Sequence, residues 1–312
     1  MHPWKSAIVL CFLVFGFAFL VCFIIVEWKF AKLPIMPLRS TSPPIPIAHI
    51  NTPNRLFTNR TNASCYLVSF CHGIVFLSGC YFIPLYFQAV RGDTPLMSGI
   101  YVLPYVISLS VTSGSAGLVI SRTGRYQEII WAGVSVMALG SGLFVKLTRT
   151  SSWAELIIFQ LIAGTGAGPL FQAPLIAVHA TIAPEDVATA TSTFAFLRSL
   201  GTALAVSLGL IVFQNGMAKQ AGPGLTRKLG AEAAGRISGD SASASIEYIK
   251  TLTGARKTGA QDAYAEGMRG MWWFFMAISL VAVACSVFIG MFLSGRRWGG
   301  NADDGNRKTS SQ

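Results

Sequence analysis

Apolar residues along this chain fall in long unbroken runs, not in alternating or heptad patterns. Seven such runs are nearly free of charge: Ala7 to Val26, Cys65 to Phe87, Gly99 to Ile120, Ile129 to Val145, Leu156 to Val178, Ala190 to Phe213 and Trp272 to Leu293. Runs of about 20 residues are what a helix needs to cross ~30 Å of hydrocarbon. With no water in a bilayer core, each run satisfies its own backbone hydrogen bonds only as a helix, and the period-two alternation of barrel strands is absent. The pattern predicts an all-α integral membrane protein of about seven transmembrane helices.

The connections differ in kind. Within the loop 28–62, the segment Ser40 to Arg55 (STSPPIPIAHINTPNR) holds four prolines, which forbid a helix and favour extended chain. It reads as an insertion at 40–55, and a retained intron is the expectation. The long loop 214–271 mixes Ala, Ile, Leu and Tyr with charges at irregular helical spacing and predicts a short surface helix. The tail 295–312 has too little apolar surface to offset its ordering entropy and is predicted to be disordered.

Composition then narrows the classes of function. Hydrophobic residues make up 52% of the 312 positions and charged ones 12%, about half the charged share of a soluble domain. A net charge of +11 would suggest nucleic acid in a soluble chain. Here the basic residues flank apolar runs and act as topology signals, so no nucleic-acid partner is expected. Lys29, Lys32, Arg39, Arg55 and Arg60, the pair Arg122 and Arg125, and the tail residues Arg296, Arg297, Arg307 and Lys308 predict cytoplasmic placement of their segments. The N-terminus and the loop 214–271 then lie on the other side, although that loop is itself basic.

All six cysteines lie in apolar runs without disulfide or metal spacing, as buried small hydrophobes do. No nucleophile–base pair, phosphate loop or metal motif is present, so no enzyme, cofactor or metal site is expected. The sequons at Asn59 and Asn62 fall in the loop placed in the cytoplasm, where they would stay unmodified.

Inside the spans, a few residues stand out. Arg198 is the one full charge well within an apolar run (FAFLRSLGTALAV), costing roughly 2.5 to 3.5 kcal/mol if central. It marks either a functional site or a side chain that snorkels toward the helix start. His72 is the mid-span titratable group, read as a proton-relay candidate or as a packed polar residue. No Asp or Glu lies in the interior of a span. Tyr81, Gln88, Tyr105, Gln160 and Gln172 offer aromatic and amide groups of the kind that line permissive pockets, and tyrosine anchoring or glutamine helix-to-helix bonding is their alternative. In the run GTGAGP, the residues Gly164, Gly168 and Pro169 predict close helix approach and a kink, or a hinge that gates a path. The turn around Gly117, Arg122, Gly124 and Arg125 is either a plain cytoplasmic turn or a gate.

Four segments together resemble fungal major facilitator superfamily transporters of the fourteen-helix drug:proton antiporter group. They are YFIPLYFQAVRGDTPLMSGIYVLPYVISL (81–109), GLVISRTGRYQEI (117–129), GTGAGPLFQAPLIAVHATIAPEDVATATSTFAFLRSLGTALAVS (164–207) and FQNGM (213–217). The resemblance implies that the first run is the eighth of fourteen spans, with residues 1–27 as a separate linker helix, and that the last six form the C-terminal six-helix bundle over 63–294. It implies a gating role for Arg122 and Arg125, which would stand in a degenerate copy of the cytoplasmic loop motif. It also implies proton-coupled efflux of small organic molecules through a plasma or vacuolar membrane, with lipid, substrate and an N-terminal six-helix bundle as partners. That bundle is not in this sequence, so the chain is expected to be truncated and inactive alone. A seven-helix receptor is the rival reading. The rival is weakened by a long loop that falls outside between the last two spans, where receptors carry a large inner loop.

Overall fold

The computed structural model describes residues 59–220 and 246–289, with Val14, Phe15, Ala18 and Phe57 besides. The first span, apart from three of its residues, the insertion at 40–55 and the tail 295–312 lie outside the described residues. What is described is helical throughout, and six stretches are long and apolar enough to cross a membrane.

Span one is α1 (Arg60–Tyr86), which runs into a π-turn at Phe87–Arg91. Pro84 lies inside α1 and cannot donate to the carbonyl four residues back, which favours a local change of winding. Span two is the short α2 (Pro95–Ile100) followed by α3 (Leu103–Thr123), with Pro104 at the start of the second helix. Span three is α4 (Tyr126–Phe144). Span four is broken: α5 (Trp153–Ala167), a 3-10 turn at Gly168–Phe171, then α6 (Ala173–Thr181). Span five is α7 (Val187–Gln220), and span six, after the small α8 (Ile246–Thr251), is α9 (Gly254–Ser286).

Two boundaries differ from the hydropathy pattern. The last span starts at Gly254, not Trp272, because residues 254–271 are helical and half of their faces are covered: Ala260, Ala263, Tyr264, Gly267 and Met268 are buried. Their charges, Asp262, Glu266 and Arg269, point outward and form ion pairs, so the segment is a helix with one covered and one polar face. At 34 and 33 residues, α7 and α9 are each about 50 Å long, well beyond the hydrocarbon. Their projecting ends pack on each other, with Gly216 near the Gly267 carbonyl and Phe213 against Tyr264. The second difference is Gly117, which lies inside α3. The turn itself is made by Gly124 at φ 68°, the left-handed conformation that glycine adopts without strain.

Glycines set the helix spacing. A methyl group on Gly73 would meet the Arg198 carbonyl, and one on Gly201 would meet the Phe70 carbonyl, so α1 and α7 touch backbone to backbone at two points. Gly140 abuts Ala163, and Gly166 abuts the backbone of Met137, which joins α4 to α5 in the same way. Gly164 and Gly168 seat α5 and its 3-10 turn against α3 at Tyr105, Ser108, Leu109 and Thr112. In lipid, where apolar burial gives no net drive between helices, such close dispersion contacts carry the association.

The end of the bundle bearing the loop 145–152 is tied by side chains. Tyr86 donates to the Thr148 carbonyl at 2.6 Å, Arg91 to the Arg149 and Ser151 carbonyls, and Arg269 to the Val145 carbonyl. Arg91 also lies over the Trp153 ring at 5.0 Å, and Ser152 and Glu155 close a capping box at the start of α5.

Both sequon asparagines have structural work. Asn59 caps α1 by accepting from Thr61 N at 3.0 Å, while Asn62 is buried and accepts from Thr181 Oγ1. Treatment with a peptide N-glycosidase is therefore expected to leave electrophoretic mobility unchanged. A downward shift would place this segment in a glycosylating lumen and reverse the sidedness drawn from the charges.

Candidate functional site

Proline in the middle of an apolar span leaves a carbonyl without its helical donor, and in a membrane that carbonyl must find another. Pro174 has no N–H to give to Leu170, four residues back. The structure shows what takes that place. Arg198 of α7 donates through Nη2 to the Leu170 carbonyl at 3.2 Å and to the Phe171 carbonyl at 3.0 Å. Its Nε donates to Ser69 Oγ of α1 at 3.3 Å. The guanidinium lies over two rings, Phe171 at 5.0 Å and Phe194 at 4.7 Å, favourable for a cation on aromatic faces.

His72 works on the same break from α1. Its Nε2 is 3.1 Å from the Ala167 carbonyl; a carbonyl only accepts, so Nε2 carries the proton in this contact. The ring is fully buried, meets Phe171 edge-on at 4.7 Å and stacks beside Phe76 at 6.0 Å. Nδ1 has no hydrogen-bond partner.

Arg198, His72, Gly168 and Pro169 thus converge on one place, the broken fourth span. Gln172 belongs there too: it is exposed, and its amide oxygen fills the notch above Gly117 of α3. The other sequence candidates lie apart. Tyr105 is buried against Gly79, its hydroxyl 3.4 Å from the Phe76 carbonyl. Gln160 is buried with Oε1 unpartnered, Tyr81 is exposed against Phe82, and Gln88 is half-buried in the π-turn. Arg122 and Arg125 are exposed at the turn between α3 and α4, and the ion pair of Arg125 is a 3.6 Å contact to Glu128 three residues on. Ser69, Phe76, Phe171 and Phe194 gave no signal in the sequence. The spacing from Pro174 back to Leu170 did give one, since it demands a donor from another helix.

A cavity between α1, α3, α4, α5 and α9, lined by Ser78, Tyr105, Ser141 and Trp272 among others, has a volume of about 10 Å³, enough for one water. Drug-sized ligands need roughly 300 Å³ or more. Among the described residues no His, Cys, Asp and Glu gather into a metal-binding group.

The sequence profile of the Major Facilitator Superfamily matches residues 2–215. The chain belongs to that superfamily. Among curated relatives, it is 40% identical over 287 residues to "Efflux pump dotC" of Dothistroma septosporum, covering 92% of this chain and 46% of that protein. It is 38% identical over 292 residues to "MFS-type transporter ppz2" of Metarhizium majus, covering 93% of this chain and 47% of that protein. It is 29% identical over 294 residues to "Efflux pump FUS6" of Gibberella fujikuroi, covering 92% and 49%. The chain thus spans about half the length of the curated relatives it matches. Membership of this superfamily places the chain among multi-pass membrane transport proteins, which are not enzymes, and sets the receptor reading aside.

Proposed function

We propose that these helices form the C-terminal bundle of a fourteen-helix drug:proton antiporter that exports small organic molecules across the plasma or vacuolar membrane. The observation that carries this reading is the broken fourth span. Alternating access needs two bundles that rock about a shared site, with irregular backbone tolerated only where it lines a cavity or is held by protein. The break at Gly168–Phe171 fits that role, because side chains from α1 and α7 hold its freed carbonyls. Side-chain contacts of this kind can be exchanged during a motion, whereas a continuous helix would have to break backbone bonds.

Two further features agree. The cavity beside Tyr105 and Trp272 is too small for substrate, in keeping with a site that lies between two bundles. Relatives named as efflux pumps match over nearly all of this chain. Proton coupling on this reading relies on carboxylates in the other half, since no Asp or Glu lies within the apolar interior of the six spans. His72 and Arg198 then brace the broken span from α1 and α7.

The test is export in cells. The chain joined behind the N-terminal half of the Dothistroma septosporum pump, in a yeast lacking its own drug exporters, is expected to lower the accumulation of at least one amphipathic fluorescent compound. A chimera that reaches the plasma membrane and changes accumulation of none, across neutral, cationic and anionic compounds, counts against the proposal.

A further inference from the structure

The contacts of Arg198 satisfy its hydrogen-bonding needs in part and its charge not at all. Its three hydrogen bonds go to a serine hydroxyl and two backbone carbonyls, all neutral. Among the described residues no carboxylate pairs with it, and the apolar interiors of the six spans contain none. Among the described residues Nη1, which carries two N–H groups, makes no hydrogen bond. The residue sits 11 positions into α7, about 16 Å along the helix, and remains partly exposed. A cation held at that depth without a counter-charge favours an anion strongly, because weak screening in an apolar setting strengthens the attraction.

The surroundings say what sort of anion. Phe171 and Phe194 lie on the guanidinium, and Phe76 packs edge-on against Phe171. Exposed Gln172 sits one residue beyond the carbonyls that Arg198 holds. A planar apolar body has rings to lie against, and a carboxylate has two oxygens for the free N–H groups of a guanidinium, a pairing that geometry favours.

We propose that Arg198, with Phe171 and Phe194, is the recognition point for an amphipathic organic carboxylate, which enters as the counter-ion that this bundle lacks. The proposal rests on the transport reading above and names the substrate class for it.

Binding separates the two claims, because it needs no turnover. The full chain in phosphatidylcholine nanodiscs is titrated with pyrene-1-carboxylate, with pyrene-1-methanol as a neutral match and pyrenylmethylammonium as a cationic one; signal from empty nanodiscs is subtracted. The carboxylate is expected to bind at least about tenfold more tightly than the alcohol, which is the size of one or two charge-assisted hydrogen bonds. Arg198→Gln is expected to erase that preference, and Arg198→Lys, which keeps the charge, to retain most of it. Melting curves of each variant identify any that fail to fold, and the lysine variant then carries the comparison.

Equal binding of carboxylate and alcohol, a preference that survives in Arg198→Gln, or no binding of any probe overturns the proposal. So does displacement of the carboxylate by phosphatidylglycerol in the nanodisc, which would assign the site to a lipid headgroup. A chain that binds all probes alike while the chimera still exports would lose the carboxylate assignment and keep the transport reading.

Discussion

Gly166→Ala is expected to cost more than 3 kcal/mol, roughly the upper end for overpacking, or to prevent accumulation of the folded bundle. The added methyl would meet the backbone of Met137 and Val136, and neither can rotate aside as a side chain does. Helices α4 and α5 would have to separate, which also uncouples Gly140 from Ala163 one turn away. Gly140→Ala is expected to behave alike, since its obstacle is again largely backbone. The control is Gly114→Ala on α3, where nothing lies within 4 Å; there the change is expected to be neutral or to gain up to about 1 kcal/mol from helix propensity. Melting in detergent, read by monodisperse recovery after heating, distinguishes the three. A Gly166→Ala variant as stable as the Gly114→Ala one would show that the backbone crossing is looser than described.

The second large effect concerns the clasp on the broken span. Arg198→Ala removes the donors of the Leu170 and Phe171 carbonyls and is expected to cost about 2–4 kcal/mol, at roughly 1–2 for each carbonyl left without a partner. The mechanism makes a sharper claim through Pro174. Pro174→Ala restores an N–H four residues after Leu170, where a regular helix would bond it. In the Arg198→Ala background it is expected to recover about 1 kcal/mol, whereas with Arg198 present the new N–H competes for a carbonyl already bonded and gains little. The coupling between the two sites is therefore the quantity to measure. Additive effects would mean that Arg198 and the missing N–H of Pro174 do not serve the same carbonyl.

Much of the fold was legible in the sequence because hydropathy reports the solvent of each segment directly. Five of the six described spans start or end within a few residues of their apolar runs. The exception is the start of α9. Asp262, Glu266 and Arg269 interrupt the hydropathy there, but they lie on the outward face of a helix whose inner face carries Tyr264 and Met268. Hydropathy averaged over a window cannot separate the two faces of such a helix. Gly117 misled for a related reason. Glycine near arginines suggests a turn, yet this glycine makes room for Gln172 inside α3, and the turn falls to Gly124.

The site was legible only in its extremes. Arg198, His72 and the Gly168–Pro169 pair stand out by chemistry, and the structure gathers them at the broken fourth span. Nothing local marks Ser69, Phe171 or Phe194 as their partners, since Phe and Ser are ordinary in an apolar helix and become a site only through the α1–α7 crossing at Gly73 and Gly201. Tyr105 shows the converse. Its hydroxyl stands out in an apolar run, yet it packs against Gly79 and borders the small cavity with Ser78 and Trp272, not the clasp around Arg198.

Motion of the broken span during transport is tested most directly at Gln172, which is exposed beside the clasp. In the chimera with the Dothistroma septosporum N-terminal half, with native cysteines replaced and Gln172→Cys introduced, the rate of labelling by a membrane-impermeant maleimide is followed with and without an exported compound. The rate is expected to change several-fold when the compound is present, as the span shifts between its two arrangements. An unchanged rate while export proceeds would contradict a moving role for the break held by His72 and Arg198.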